Sequence, residues 1–317
     1  MEKVGVVGVG AVGQACAFAL LLRASAREIV LVDRVRDRAA AVAADMRYGA
    51  PLSAPVAIED GDWDDLASAG VVLITAGVNE KAGGATDRDD PRGRLKLLEP
   101  NVDVYRDVVP RIVAVAPDAV LVAVTDPPDP LADLTRELAG HERVLSTGTV
   151  IDTLRFRVHV AAQLGVHPSA VEGLVIGEHG TSQVMVWSSV RVTGTPLADA
   201  LHLCATPRSL DEVREQVERE VRYANIAIIE GNDASQFGIG AVCARIAEGI
   251  LRDERVVLPV AAYREQFGIT IALPTVLGRE GARKGLVPAM DDQERAGFDR
   301  SVETLREAAR GIGIGTG

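Results

Sequence analysis

The feature that most restricts the fold of this chain lies at its N-terminus. The apolar run Val4–Leu22 resembles a signal peptide or a membrane span in length, but four glycines interrupt it and Gln14 falls near its middle. Three of these glycines, Gly8, Gly10 and Gly13, fit the pattern G-x-G-x-x-G. The run therefore predicts a buried strand, a tight glycine turn and a helix, a common beginning for a parallel α/β sheet.

The first half of the chain alternates short β-branched runs with helical stretches. The runs 71–74 and 120–124 are continuously apolar, which is typical of parallel strands buried on both faces. The pattern predicts an α/β protein with an N-terminal Rossmann domain, a doubly wound parallel sheet of about six strands. The predicted strands are Val4–Gly8, Glu28–Asp33, Val56–Glu59, Val71–Thr75, Val120–Thr125 and Val144–Thr147, and the predicted helices are Ala11–Arg23, Arg36–Tyr48, Trp63–Ala69, Leu95–Val115 and Pro130–Ala139.

After Gly148 the pattern changes to longer helices and fewer strands. This change predicts two domains, a Rossmann domain that contains the glycine turn over residues 1–148 and an α+β domain over residues 149–317. The elements predicted for the second domain are a helix Ile151–Leu164, strands near Leu174–Ile176 and Gln183–Val192, helices Leu210–Gly231 and Ser235–Leu251, a hairpin-like stretch Arg255–Leu277 and a final helix Asp291–Arg310.

Composition excludes several classes of function. Apolar residues make up 47% and charged residues 25% of the 317 residues, as in an ordinary soluble globular protein. The net charge of −11 argues against a nucleic-acid partner, which would call for a basic face. Cys16, Cys204 and Cys243 are odd in number and lack metal-ligand spacing. We therefore expect reduced thiols, no bound metal, no membrane partner and a cytoplasmic location.

The glycine pattern also indicates a dinucleotide site. The glycines permit a tight turn, a close approach of backbone to a pyrophosphate, and close packing of helix on strand, while the helix N-terminus supplies N–H groups. Asp33 ends the second predicted strand 20 residues after Gly13, where an acid bonds the ribose hydroxyls. Because a carboxylate repels a 2′-phosphate, NAD is favoured over NADP. The alternative is a structural turn followed by a surface aspartate.

A histidine and two candidate partners stand in the second half. His179 lies in Ile176-Gly177-Glu178-His179-Gly180. A histidine that moves a proton needs a carboxylate to fix its tautomer, and Asp152 is a candidate. Arg155, three residues later, falls near the same face of a predicted helix and could bind a carboxylate with two parallel hydrogen bonds. Together with the dinucleotide loop, these residues suggest hydride transfer on a small 2-oxo acid.

With these motifs in place, the chain resembles the lactate/malate dehydrogenase family over nearly its whole length. The motifs stand in the family's order. They are the glycine loop, Asp33, Thr75-Ala76-Gly77, Arg94-Leu95-Lys96-Leu97-Leu98, Val124-Thr125-Asp126-Pro127, the segment from Gly148 to Arg157, Gly177-Glu178-His179-Gly180 and Asp233-Ala234-Ser235.

The resemblance implies a role for each chemically active residue. His179 would protonate the carbonyl oxygen during reduction, and Asp152 would hold its imidazole. Arg155 would bind the substrate carboxylate, and Ser235 would line the pocket near the nicotinamide. The implied partners are NAD, a small 2-oxo or 2-hydroxy acid, and further copies of the chain in a dimer or tetramer. The implied cofactor-binding residues are Gly8, Gly10, Ala11, Val12, Gly13, Asp33, Thr75, Ala76, Gly77 and Thr125.

A long loop before the predicted helix Leu95–Val115 carries two further candidate site residues. The resemblance implies that Arg94 polarises the carbonyl once the loop closes, and Arg88 and Arg92 are alternatives for this role. Glu80 stands where lactate enzymes carry glutamine and malate enzymes arginine, so it would repel oxaloacetate unless it pairs with a nearby cation instead. The loop 79–93 is several residues longer than is usual in the family, which indicates a pocket for a bulkier substrate.

Asp126 is the clearest departure from the family, which generally carries asparagine there. An ionised aspartate loses the amide's donor and lies close to the incoming substrate carboxylate. The interpretation favoured by the residues is an NAD-dependent L-2-hydroxy acid dehydrogenase, lactate-type rather than malate-specific, with a bulky or basic substrate side chain. The alternatives are a malate dehydrogenase, a catalytically inactive NAD-binding protein with a structural or regulatory role, and an NAD-dependent glycosidase that would need a metal site.

Overall fold

The computed structural model describes residues 2–78, 83, 93–205 and 207–315. Its fold is α/β, as the alternation of apolar runs and helical stretches predicts. The apolar runs of the first half form six strands that pair in parallel. These strands are β1 (Lys3–Val7), β2 (Glu28–Val32), β3 (Ala57–Asp60), β4 (Val71–Ile74), β5 (Val120–Ala123) and β6 (Val144–Ser146).

The parallel strands follow the order β3-β2-β1-β4-β5-β6, so the direction of winding reverses between β1 and β4. Alternate residues of each strand face opposite sides, and both sides are buried in every parallel strand except the edge strand β3. Val6 packs in one apolar core and Val7 in the other. Full burial of such a side chain contributes about 1.5–3 kcal/mol. The helices of this half are α1 (Ala11–Arg23), α2 (Arg36–Gly49), α3 (Leu98–Val115) and α4 (Pro128–Ala139).

The second half contributes long helices and several short strands. Its strands are β7 (Val171–Glu172), β8 (Val175–Ile176), β9 (Val184–Met185), β10 (Arg191–Val192), β11 (Thr195–Pro196), β12 (Val256–Leu258), β13 (Ala261–Arg264), β14 (Ile269–Ala272), β15 (Thr275–Gly278) and β16 (Gly281–Gly285). Its helices are α5 (Val150–Leu164), α6 (Leu197–Ala200), α7 (Leu210–Asn232), α8 (Phe237–Leu251) and α9 (Asp292–Gly311).

The main sheet has eight strands in the described part of the chain, rather than about six. The antiparallel hairpin of β13 and β14 joins its edge, where Ala261 pairs with Ser146 of β6. The hairpin-like stretch predicted near 255–277 therefore divides. Its middle extends the main sheet, while β12 and β15 form a separate sheet with β16. Pairing with β6 satisfies backbone groups that an open edge would leave exposed.

Two predicted elements are shorter or more broken than the patterns suggested. The stretch 63–69 forms only a short 3-10 turn, Trp63–Leu66, capped by Asp62. The strand predicted over 183–192 is interrupted by a second such turn, Trp187–Ser189. The Trp187 ring packs edge-on against Phe156 of α5 at 4.7 Å between centroids, so aromatic packing replaces strand pairing there.

The contact between α1 and α8 joins the glycine-loop helix to the second half. A Cβ on Gly240 would lie 2.6 Å from the Ala15 carbonyl oxygen, so only glycine allows this close approach. At the helix ends, Arg23 donates two hydrogen bonds of 2.8 Å to the carboxylate of Glu248. Burial works against the charged form, but the hydrogen bonds from Arg23 and Ser25 leave the pKa of Glu248 below its ordinary value.

The cysteines are free thiols. Cys16 and Cys243 are buried side by side in the contact between α1 and α8. The hydrogen bond between the two sulfur groups and their burial raise the pKa of Cys243 well above its ordinary value, which keeps it a neutral thiol.

Among the described residues, no three His, Cys, Asp or Glu side chains cluster as a metal ion would require. No helix in this part of the chain combines the length and apolarity needed to cross a membrane.

Candidate active site

A cavity of about 160 Å³ lies at the carboxyl ends of the parallel strands, where the strand order reverses. This is the position at which open α/β sheets bind ligands. The glycine turn forms one end, and α5, α7 and the turn before α8 form the other. The lining residues are Gly10, Ala11, Val12, Thr75, Gly77, Val78, Val124, Thr125, Asp126, Thr147, Ile151, Arg155, His179, Asn225, Ala234, Ser235 and Ile239.

The glycine turn fits the pyrophosphate of NAD. Gly8 has φ of 97°, in the left-handed region, and a Cβ on it would lie 2.4 Å from the Ala76 nitrogen. A Cβ on Gly13 would lie 1.9 Å from the Gly8 oxygen, so helix and strand pack as closely as the pattern requires. Gly10 begins α1 without a side-chain cap and has open space around it. The N-terminus of α1 is therefore available to an anion.

Asp33 fits the ribose. Its carboxylate follows β2 and accepts hydrogen bonds from the Val9 nitrogen at 2.7 Å and from the Val35 nitrogen at 2.8 Å. These bonds fix the carboxylate beside the glycine turn and leave lone pairs for further donors. Arg38 is 3.8 Å from the same carboxylate. A carboxylate held in this position repels a 2′-phosphate, which agrees with NAD as the cofactor.

Thr75, Gly77 and Thr125 hold the loops after β4 and β5 together. The Thr75 hydroxyl donates to the Gly8 oxygen at 2.6 Å, and the Thr125 hydroxyl donates to the Ala76 oxygen at 2.8 Å. A Cβ on Gly77 would lie 2.3 Å from the Thr125 methyl carbon. The loops of two neighbouring strands are thereby locked against the glycine turn.

Sequence reasoning missed Asn101, which ties these two loops to α3. Its side-chain oxygen accepts a hydrogen bond from the backbone nitrogen of Val78 at 2.7 Å, and its amide nitrogen donates to the backbone carbonyl oxygen of Asp126 at 2.7 Å. Asn101 is fully buried on the apolar face of α3, beside Val102 and Tyr105. A polar residue on such a face was the available signal.

His179 lies on the loop after β8, and the main sheet fixes this loop. Gly177 has φ of 90° and exchanges two backbone hydrogen bonds with Ala272 of β14, at 3.0 and 3.1 Å. The Glu178 nitrogen donates to the Ser301 hydroxyl of α9 at 2.7 Å. The added strand β14 and the final helix therefore determine where the histidine sits.

The histidine is paired with Asp152, as the sequence predicts. The Nδ1 atom of His179 lies 2.5 Å from Oδ2 of Asp152, and both side chains are buried. A carboxylate accepting from Nδ1–H leaves Nε2 to face the cavity. Nε2 is therefore the ring atom of His179 placed to exchange a proton with a ligand in the cavity.

Arg155 reaches the same point from the next turn of α5. Its Nη1 donates to Oδ1 of Asp152 at 3.2 Å, and its Nη2 donates to the Ser235 hydroxyl at 3.3 Å. The structure thus brings together His179, Asp152, Arg155 and Ser235 around one cavity. A guanidinium held in this way has planar donors suited to a carboxylate.

Asp126 lies on the other side of the imidazole. Its Oδ1 is 3.6 Å from Nε2 of His179, the atom that faces the cavity. The imidazole therefore stands between two carboxylates, Asp126 and Asp152. Asp126 therefore lines the cavity beside the ring nitrogen of His179 that faces it.

Asp129 is a second residue that sequence reasoning missed. It is buried in the first turn of α4, and its Oδ2 accepts a hydrogen bond from the backbone nitrogen of His179 at 2.8 Å. Its Oδ1 accepts from the Ser146 hydroxyl at 2.6 Å, and that hydroxyl accepts from the Gly148 nitrogen. Burial raises the pKa of Asp129 to about 7, although these hydrogen bonds act to lower it. Asp129 therefore connects the histidine loop to the turn that begins α5.

Two of the predicted site residues, Glu80 and Arg94, have side chains outside the part of the chain that the structure describes. Glu80, with the alternatives Arg88 and Arg92, lies outside the described residues. The backbone of Arg94 belongs to the short 3-10 turn Gly93–Leu97 that precedes α3, and its side chain is not among those the structure describes.

Comparisons with known proteins agree with this geometry. The family model for the lactate/malate dehydrogenase NAD binding domain matches residues 2–146, and the model for the α/β C-terminal domain of the same family matches residues 149–312.

Individual relatives match over almost their full length. The L-lactate dehydrogenase of Deinococcus radiodurans is 43% identical over 312 residues, covering 98% of this chain and 100% of that protein. The L-lactate dehydrogenase of Thermus aquaticus is 40% identical over 321 residues, with 98% and 100% covered. The crystal structure of the minor L-lactate dehydrogenase from Enterococcus mundtii superposes with a TM-score of 0.89 at 31% identity, with 99% of both chains covered. The chain therefore belongs to the lactate/malate dehydrogenase family of NAD-dependent oxidoreductases.

Proposed function

We propose that this protein interconverts an L-2-hydroxy acid and the corresponding 2-oxo acid, with lactate-type rather than malate-type specificity. The observation that carries the proposal is that Nε2 of His179 and the guanidinium of Arg155 border the same cavity that begins at the NAD turn. The L-lactate dehydrogenases named above are similar over the whole chain, which supports the same reaction.

The residues divide the work of the reaction between them. Arg155 binds the substrate carboxylate and sets the orientation of the oxo group. His179 donates the proton from Nε2 to the carbonyl oxygen during reduction and accepts it during oxidation. Asp152 accepts from Nδ1–H, which keeps Nε2 as the atom that exchanges the proton. Bound NADH supplies the hydride that reduces the carbonyl carbon.

The proposal also covers the roles of the two domains and of three further residues, Ser235, Arg94 and Glu80. Residues 1–148 bind NAD and residues 149–317 bind the substrate, with Ser235 beside Arg155 at the pocket wall. Arg94 polarises the carbonyl oxygen when the loop before α3 closes, which excludes water and strengthens each charge interaction. Glu80 faces the third substituent of the substrate and disfavours a second carboxylate.

The charge of the cavity supports the preference against malate. Asp126 stands beside Nε2 of His179, and the only carboxylate-binding cation among the described lining residues is Arg155. A second substrate carboxylate about 4 Å from Asp126 would raise the free energy of binding by roughly 4 kcal/mol at an effective dielectric of 20. A basic substituent would gain instead, and the long loop 79–93 supports a bulkier one.

A panel of 2-oxo acids tests this function. We expect the protein to oxidise NADH in the presence of pyruvate or of 2-oxo acids with bulkier or basic side chains, and to use oxaloacetate poorly because of charge repulsion. The measurement is kcat/KM for each acid from NADH absorbance. NADH binding without turnover of any acid would instead indicate the catalytically inactive alternative, and oxaloacetate as the best substrate would indicate a malate dehydrogenase.

The same assay measures how Asp126 affects the preference among 2-oxo acids. We expect Asp126→Asn to raise kcat/KM for pyruvate by about tenfold, because the change removes a like charge and restores a donor. It should lower kcat/KM for a basic 2-oxo acid. Asp118→Asn, at an exposed turn before β5 and far from the carboxyl ends of the strands, is the matched control. A loss of pyruvate activity in Asp126→Asn would contradict this account.

We also infer a cytoplasmic homo-oligomer, a dimer or tetramer. Apolar side chains one helical turn apart are exposed on two helices, Phe18 and Leu22 on α1 and Leu154 and Val158 on α5. Exposed apolar clusters of this kind favour association. Sedimentation velocity measures the state directly, and a monomer at micromolar concentration would contradict the inference.

A further inference from the structure

Asp129 is a buried carboxylate to which the proposed reaction assigns no part. It is 1% exposed, in the first turn of α4. Its two oxygens have different partners. Oδ2 accepts a hydrogen bond from the backbone nitrogen of His179 at 2.8 Å, and Oδ1 accepts one from the Ser146 hydroxyl at 2.6 Å. Both bonds are short, as charge-assisted hydrogen bonds to a carboxylate are.

The two oxygens hold the two segments that carry the proton-transfer pair. On one side, the bond to Oδ2 fixes the backbone of His179 itself. On the other side, the Ser146 hydroxyl accepts a hydrogen bond from the Gly148 nitrogen at 2.9 Å, in the turn from which α5 begins. Asp152 lies in the first turn of α5. Asp129 therefore helps to set the separation between the imidazole and its carboxylate partner.

This position suits an ionised carboxylate. A carboxylate accepts at both oxygens, whereas a carboxamide or a carboxylic acid carries hydrogen on one side. Burial raises the pKa of Asp129 to about 7, and the charge of Glu178 acts in the same direction. The hydrogen bonds from Ser146 and His179 and the charge of His179 act to lower this pKa. Asp129 is therefore ionised in weakly alkaline solution.

We propose that Asp129 is a positioning residue for proton transfer, whose carboxylate holds the imidazole of His179 against Asp152 and towards the carbonyl oxygen of the substrate. This inference rests on the proposed function and adds a residue to its proton-transfer site. Asp129 acts through the backbone of His179 and through the turn before α5. Its negative charge also favours the charged imidazole.

Asp129→Asn tests the proposal. The amide keeps one acceptor and places a donor against either the His179 N–H or the Ser146 hydroxyl, so one of the two links is lost. We expect kcat for reduction of the 2-oxo acid to fall by about tenfold or more, because small misplacements of reacting groups are costly. KM should change by less than about threefold, since Arg155 keeps its bonds to Asp152 and Ser235.

The pH profile separates positioning of the proton-transfer pair from a contribution to folding alone. In the direction of reduction, kcat/KM falls at high pH as Nε2 of His179 loses its proton. In Asp129→Asn this limb should move to lower pH by about half a unit or more, because the lost carboxylate no longer favours the charged imidazole. A lowered kcat with an unmoved limb would show that Asp129 serves folding alone and would overturn the proposal.

Asp133→Asn is the matched control. Asp133 is also buried, one turn further along α4, but only its Oδ1 is used, and it accepts from both the nitrogen and the hydroxyl of Thr270. An amide oxygen can keep both of these bonds, so kcat and the pH limb should match those of the wild type. An equal loss of kcat in the two variants would contradict a specific role for Asp129.

Ser146→Ala tests the second link while keeping the charge. It removes the connection to Gly148 and leaves the bond from the His179 nitrogen, so kcat should fall by about twofold to fivefold, less than in Asp129→Asn. The high-pH limb should stay in place. Wild-type kcat in Ser146→Ala would contradict the proposal even if Asp129→Asn does not fold.

The wild-type protein separates this proposal from the one on which it rests. Wild-type kcat in folded Asp129→Asn would overturn the role of Asp129 and leave the dehydrogenase function intact. Failure of the wild-type protein to oxidise NADH with any 2-oxo acid of the panel would overturn both.

Discussion

We expect replacement of His179 by alanine to lower kcat for reduction of the 2-oxo acid by a factor of about 10² or more, the usual scale for loss of a general acid–base residue. If Nε2 supplies the proton, the variant has to take it from water, and the buried carboxylate of Asp152 loses its partner at 2.5 Å. NADH binding should change little, because the glycine turn lines the other end of the cavity and Asp33 is bonded to the Val9 nitrogen in that turn. Steady-state kinetics and NADH fluorescence titration measure the two effects.

The control for this prediction is another histidine. His202 is exposed and hydrogen bonds to the Asp199 carbonyl oxygen, away from the cavity. His202→Ala should retain wild-type kcat. Undiminished turnover in His179→Ala would end the proposal that this imidazole moves the proton.

The second large effect is expected for Arg155→Leu. Truncating one partner of a buried hydrogen-bonded charge pair costs roughly 2–5 kcal/mol, so KM for the 2-oxo acid should rise by about 30-fold or more. NADH affinity should be nearly unchanged, since Arg155 contacts Asp152 and Ser235 rather than the glycine turn. This contrast also tests the division into an NAD-binding half and a substrate-binding half.

Two further variants serve as comparisons: Arg155→Lys is the conservative change, and Arg111→Leu is the control at a distant arginine. Lysine keeps the charge and loses the planar pair of donors, so its KM should lie between those of the wild type and of leucine. Arg111 is an exposed residue of α3 paired with Asp107, and its replacement should leave KM unchanged. Equal losses of substrate and NADH affinity in Arg155→Leu would show that the residue does not act on the substrate carboxylate.

The sequence predicts the parallel sheet well because all its parallel strands except the edge strand β3 are buried on both faces. Such strands leave continuous apolar runs, and β4 and β5 are examples. The sequence does not predict that β13 and β14 join this sheet, because their pairing with β6 is remote along the chain and no local pattern specifies it. This unpredicted edge matters for function, since the bridge from Ala272 to Gly177 fixes the histidine loop.

In the candidate site, too, some residue positions follow from local sequence spacing and others follow only from the folded structure. Asp152 and Arg155 share one face of α5, so their proximity follows from helical spacing. Asn101, Asp129 and Asn225 are polar residues on buried helical faces, and only the folded structure shows which of them border the cavity or hold its loops. Polar interruptions of an apolar stripe were the sequence signal for the two asparagines.

We propose that His179 and Arg155 act on the same 2-oxo acid beside bound NADH. The most direct test is a crystal structure of the protein with NADH and oxamate, which has the shape of pyruvate but an unreactive amide carbonyl. We expect the oxamate carboxylate to lie about 2.7–3.0 Å from the Arg155 guanidinium and the amide oxygen to lie within about 3 Å of Nε2 of His179. Oxamate bound in another cleft, or with its carboxylate on a different cation, would contradict it.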